Sequence, residues 1–169
     1  MGSEIGDLMV GEAKASDMSL AAIDEKVGRY AATLPAVESV SGLLMGIGSM
    51  PGAPYFLVWG MDTTSYGFRH FAITEGDRIR LPRDLILGKV AAKNYKKHVG
   101  DTMEVSGNTY RVVGIFETGV GYEDSSGVIS LAEAQRVFKK PNQVSFYGIK
   151  LKDPSQADLV KQQIESRMP

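Results

Sequence analysis

At 169 residues the chain holds about one domain, with room for two small lobes but not for two full-sized domains. Apolar residues make up 43% and charged residues 23%, ordinary globular proportions, and 19 basic side chains against 20 acidic ones leave a formal charge of −1. Nucleic acid is therefore not an expected partner, because its binding draws on a basic excess, and the lack of cysteine removes disulfides, thiolate nucleophiles, zinc fingers and iron–sulfur clusters together.

The start, Met1-Gly2-Ser3-Glu4, has neither the basic residues nor the apolar run of a signal peptide and reads as a cloning leader. Residues 7–13 read as a strand, and 14–19 as a polar loop. A helix is predicted over 24–34. Ile23, Val27, Tyr30, Ala31 and Leu34 share one face, Asp24 and Glu25 suit its N-terminal dipole, and Pro35 ends it. Residues 36–44 form the next strand, so the chain opens strand–helix–strand, a right-handed crossover if the two strands are parallel.

Residues 39–61 carry no charge and could span a bilayer by count alone. Pro51, Pro54 and glycines 42, 46, 48, 52 and 60 argue against a span. Within this stretch 46–54 reads as a loop of turn residues, and 55–60 as a short apolar strand with a central position.

After Thr63 the pattern becomes β-rich. A strand at 85–88 leads into a helix over 89–98 closed by Gly100. Strands 102–105 and 109–117 make a hairpin around Ser106-Gly107-Asn108, and 128–129 ends the stretch. Ser130 caps a helix, with Glu133 completing a capping box and Leu131, Ala134, Val137 and Phe138 on its apolar face. A strand follows at 143–151. Asp153 then caps a last helix with Pro154 at its first position and Ala157, Val160, Ile164 and Met168 as its stripe. A strand ordinarily follows such a helix, so the chain is expected to be a piece of a longer protein.

Chemical sites are hard to assemble from these residues. The glycines of 42–52 lack the lysine and following helix of a phosphate loop, Gly46-x-Gly48 has Pro51 where a dinucleotide fingerprint has its third glycine, and turn chemistry explains them better. Asp124-Ser125-Ser126 with a histidine would be the raw material of a hydrolase, but no G-x-S-x-G elbow is present. Glu123 and Asp124 read as solvated neighbours. His70 and His98, the two remaining soft ligands, lack a metal-binding spacing. Lys89, Lys93, Lys96 and Lys97 share one helical face, which could meet anionic lipid but reads first as solvated. No catalytic residue, cofactor site or metal site is assigned.

An ordered set of segments carries more information. Glu75-Gly76, Val90-Ala91-Ala92, Val99-Gly100-Asp101-Thr102, Tyr110-Arg111-Val112-Val113-Gly114-Ile115-Phe116, and Asp124 through Leu131-Ala132-Glu133-Ala134-Gln135 occur in sequence, after Leu34-Pro35-Ala36-Val37-Glu38-Ser39-Val40-Ser41-Gly42. This order resembles the extracytoplasmic core domain of MacB/FtsX-type ABC transporter permeases, the macrolide- and lipoprotein-exporter group. The resemblance spans nearly the whole chain. It implies an α+β fold, with a porter-like α/β lobe from residues 1–66 and 141–169 and an inserted β-rich lobe from 67–140. It also implies a non-enzymatic domain outside the cytoplasm, between the first and second of four transmembrane helices of a cell-membrane protein. The implied partners are those helices, a second permease copy, a cytoplasmic ATPase subunit or domain, and an extracytoplasmic partner or substrate.

The function expected on this basis is to couple ATP-driven helix motion to export or to partner handling outside the membrane. The rival readings are a stand-alone periplasmic or extracellular binding or adaptor module and, further off, an enzyme. For a partner surface the sequence offers the uncharged segment 43–55, with Leu43, Leu44, Met45, Ile47, Met50 and Tyr55 as its apolar residues.

Overall fold

A computed structural model describes residues 6–11 and 23–167. The polar loop read at 14–19, the end of the first predicted strand and Met168 lie outside the described residues. Strand β1 (Leu8–Gly11) is an edge, and β2 (Ile23–Asp24) leads into helix α1 (Glu25–Ala32). The carboxylate of Asp24 accepts the Lys26 amide at 2.8 Å, which answers one of the unpaired N–H groups of the first turn. The helix stops at Ala32, three residues before Pro35.

Next comes a long hairpin, β3 (Val37–Met50) and β4 (Ala53–Met61), joined at Pro51-Gly52 with Gly52 at φ +81°. This corrects the reading of 46–54 as a loop. Three glycines on one strand looked like turn signals, yet each sits where another side chain fills the space of its missing Cβ. A Cβ on Gly42 would meet the Tyr147 ring, one on Gly46 the Phe138 ring, and one on Gly48 the Val105 side chain. Glycine within a strand marks such close approach.

A 3₁₀ turn, Tyr66–His70, precedes β5 (Ala72–Gly76) and β6 (Asp84–Gly88). Helix α2 (Lys89–Tyr95) ends earlier than the predicted 98, because Lys96 turns left-handed at φ 55° and closes it. Strands β7 (Thr102–Val105) and β8 (Asn108–Glu117) join through a two-residue turn, Ser106 at φ 50° and Gly107 at φ 80°. These are the paired positive angles that match hairpin twist.

Helix α3 (Gly121–Asp124), β9 (Gly127–Ser130) and α4 (Leu131–Val137) follow. The predicted strand 143–151 is broken at Ser145 into β10 (Gln143–Val144) and β11 (Phe146–Leu151). Ser145 is buried there, and its Oγ accepts the Met45 amide at 2.9 Å. Asp153 accepts the Ser155 amide and Pro154 opens a 3₁₀ turn that runs into α5 (Ala157–Arg167).

Nine strands form one sheet in the order β1-β11-β3-β4-β9-β6-β8-β5, with β7 also on β8; β10 and β2 pair separately. Neighbours are antiparallel except β4 with β9 and β6 with β8. β1 and β3 both run antiparallel to β11, so the strand–helix–strand start is split by a strand from the end of the chain. This is the mixed α/β architecture expected.

Three apolar clusters hold it. One packs Leu44, Phe56 and Val58 against Leu85, Leu87, Val105, Tyr110 and Val112. A second, on the other sheet face, gathers Leu43, Trp59, Met61, Phe71, Phe116 and Phe146. The third seats α1 and α5 through Ala31, Leu34, Val160 and Ile164 on Ile149 and Leu151. Burial of this kind contributes about 1.5–3 kcal/mol per large side chain.

Candidate functional site

The β3–β4 hairpin alternates side chains between its two faces, and register decides which reach solvent. Leu43, Met45 and Ile47 pair with Met61, Trp59 and Leu57 on one face. Toward the tip the cover thins. Leu43 and Met61 are fully buried, Met45 and Leu57 are half-buried, Ile47 is 45% exposed and Tyr55 is 85% exposed. Strand alternation puts Tyr55 on the face of Leu57. The opposite face is sealed, since Leu44, Phe56 and Val58 are interior and Met50 packs against their cluster.

The six residues named for partner contact therefore separate. Leu43 and Leu44 belong to the core and cannot meet a partner. Met50 is half-buried on the inner side. Ile47 and Tyr55 are exposed on one face of the hairpin, and Met45 sits half-buried beneath them with Leu57, absent from the sequence reading, against the second cluster. The continuous apolar run 55–60 hid Leu57, because a run without alternation gives no inside and outside.

The tip is held rather than free. The Ser106 amide donates to the Ser49 carbonyl at 2.8 Å, and the Ser49 amide donates to Ser106 Oγ at 3.2 Å. The tight turn of β7–β8 thus clamps the end of β3, and Val105 fills the space beside Gly48.

The other candidates serve the framework. Asp124 is buried, and its carboxylate accepts the Thr118 amide at 2.7 Å, the Thr118 hydroxyl at 3.2 Å and the Gly119 amide at 3.0 Å. Ser126 Oγ donates to the Glu123 carbonyl at 2.6 Å and accepts the Trp59 indole N–H at 3.0 Å. Ser125 donates to the Gly121 carbonyl. Both hydroxyls are thus engaged with the neighbouring backbone of α3.

Glu123 is buried and not solvated as read. Its Oε1 lies 2.9 Å from His70 Nε2, tying α3 to the 3₁₀ turn. His98 lies on an exposed turn with Asp101 at 3.6 Å, and among the described residues no three potential metal ligands cluster. On the lysine face, Lys89 reaches Glu117 at 3.4 Å and Lys97 donates to the Thr102 carbonyl at 3.0 Å.

Glu133 departs from its capping-box role. Ser130 Oγ does accept the Glu133 amide, at 3.4 Å, but the Glu133 carboxylate turns inward. It accepts the Tyr110 hydroxyl at 2.8 Å and the Arg136 guanidinium at 2.7 and 3.0 Å, with Arg83 at 3.4 Å. Burial alone would raise this carboxyl's pKa. The bonds from Arg136 and Tyr110, with the charges of Arg136 and Arg83, outweigh it and hold the pKa below the carboxylate's usual value. Burial, then the bond to Glu133, pushes the Tyr110 phenol well up, so it stays a neutral donor.

No helix among the described residues is long and apolar enough to cross a membrane. Comparison with the curated proteins finds no match. Among solved structures the fold is similar to the periplasmic region of MacB from Actinobacillus actinomycetemcomitans, with a TM-score of 0.70 and 9% identity over 95% of this chain and 80% of that one. It is equally similar to the extracellular domain of the noncanonic ABC-type transporter YknZ from Gram-positive bacteria, with a TM-score of 0.69 and 13% identity over 95% of this chain and 94% of that one. At such identities the likeness speaks for the fold alone. The family model for the MacB-like periplasmic core domain matches residues 2–167, nearly the full length. The chain belongs to that family and is an extracytoplasmic domain of an ABC transporter permease.

Proposed function

We propose that this domain couples ATP-driven movement of membrane helices to the handling of a substrate or protein partner outside the membrane, without catalysis of its own. The observation that carries the reading is the exposed apolar pair Ile47 and Tyr55, flanked by half-buried Met45 and Leu57, at a hairpin tip that is clamped from behind. Exposed apolar patches on soluble domains mark interaction sites, and a braced tip transmits displacement instead of absorbing it. On this reading the transmembrane helices, a second permease copy and a cytoplasmic ATPase supply the motion, and the exposed pair meets the external partner.

The same proposal divides the chain into a lobe from 1–66 with 141–169 and an insert from 67–140. The four-position ladder from Val58 with Gly127 to Met61 with Ser130 lies at their seam. Replacing the insert by a short Gly/Ser linker tests this division, with a folded remnant by circular dichroism expected and an unfolded one contradicting it.

The docking claim is tested in the intact transporter with Ile47→Lys and Tyr55→Lys. Both side chains are exposed, so folding stability should change by no more than about 0.5 kcal/mol. Basal ATP hydrolysis should persist while export is lost. Full export by the double variant would overturn the assignment.

A further inference from the structure

A cleft at the far edge of the sheet, independent of the hairpin tip, has the makings of a ligand site. Strands β5 and β7 lie on the same edge of β8, since Gly114 pairs with both Gly76 and Ile86, while Arg111 pairs with both Thr102 and Asp84. The two edge strands part at Val112–Val113, and the gap between their loops is a cavity of about 490 Å³. Its walls are fixed by backbone bonds to β8. The Asp77 amide donates to the Val113 carbonyl at 2.8 Å, and the Gly100 amide to the Val112 carbonyl at 2.8 Å. The loops turn at Gly76 (φ +80°) and Gly100 (φ +99°), angles that disfavour any other residue, so the opening is preformed.

The chemistry of the lining is uneven. Its two carboxylates are engaged, Asp77 with Arg80 at 3.1 Å and buried Asp84 with the amides of Arg80 and Leu81 at 3.0 and 2.9 Å. Arg78 and Arg111 also line the cavity, and no carboxylate among the described residues pairs with either. Beside them stand two exposed apolar side chains, Leu81 at 65% and Val99 at 39%. Two uncommitted guanidinium groups next to an apolar wall suit a molecule with one anionic end and one hydrocarbon end. A carboxylate or phosphate presents the oxygen pair that the guanidinium fork recognises.

We propose that this cleft binds an anionic amphiphile, its carboxylate or phosphate held by Arg78 and Arg111 and its apolar part lying against Leu81 and Val99. The test is calorimetric titration of the domain with decanoate below its micelle concentration, with the amides of Gly76 and Gly100 followed by NMR. Saturable binding is expected, with shifts confined to these two loops. Arg78→Gln and Arg111→Gln should each weaken it about tenfold, as expected for loss of one charge-assisted pair. Both side chains lie at the surface, so the variants should keep the parent's melting temperature. Leu81→Ser should weaken binding as well.

Acetate, inorganic phosphate and decanol each carry half the chemistry and should bind far more weakly. Co-sedimentation with phosphatidylglycerol vesicles, lost in the Arg78→Gln/Arg111→Gln double variant, would identify the source as a lipid headgroup. Decanoate binding without vesicle binding would identify a free amphiphile. Absence of binding to both, binding indifferent to the arginines, or decanol binding as tightly as decanoate would overturn the proposal.

Discussion

Gly46 is the residue on which the packing of α4 turns, because the Phe138 ring occupies the place of its missing Cβ. Gly46→Val should overpack this contact and destabilise the domain by about 1–3 kcal/mol in urea unfolding. Pairing it with Phe138→Ala should recover part of that loss, whereas strict additivity would contradict the contact. Glu133 gives a second test. Because its folded pKa lies below the ordinary 4.5, the stability it contributes is present above that pH and lost as pH falls through the folded value. Glu133→Ala leaves the Tyr110 hydroxyl without its partner and should cost about 1–3 kcal/mol at neutral pH. The variant's stability should also fall less steeply than the parent's below pH 4.5, and parallel pH curves would contradict the account.

At the level of elements, the parts that could be read from the sequence are those whose signals are local. Ser106-Gly107 announced the β7–β8 hairpin, and Asp153-Pro154 announced the start of the last helix. The extension of β3 past Leu44 could not be read, because Gly46 and Gly48 are strand residues only in the presence of Phe138 and Val105, which arrive from far along the chain. The exposure of the uncharged segment likewise depends on pairing. Which residues of the run 43–55 reach solvent is set by the register with β4, so the sequence could not separate exposed Ile47 and Tyr55 from buried Leu43 and Leu44. The cleft of Arg78 and Arg111 had no sequence signal, since only the shared edge of β8 brings them together.

The clamp on the hairpin makes its own prediction. Ser106→Ala removes the hydroxyl that receives the Ser49 amide. Hydrogen exchange should accelerate at Ser49 and Met50 while the rest of β3 stays protected; unchanged exchange at the tip would mean that the clamp does not brace it.

For the whole molecule, one continuous sheet joins the two ends of the chain to its middle, so a displacement applied at one edge is carried by paired strands rather than by a linker. On the proposed reading, that continuity is what would carry motion from the membrane helices outward. The most direct test of the coupling claim is the distance between the two copies of this domain that the proposed assembly contains. The chain has no cysteine, so Asn94→Cys on the exposed side of α2 places a single spin label in it. Double electron–electron resonance in the nucleotide-free and the vanadate-trapped ATP states should give two different distance distributions, and Ile47→Lys should leave that change intact while export is lost. An identical distribution in both states, with ATP hydrolysis and export proceeding, would contradict the account.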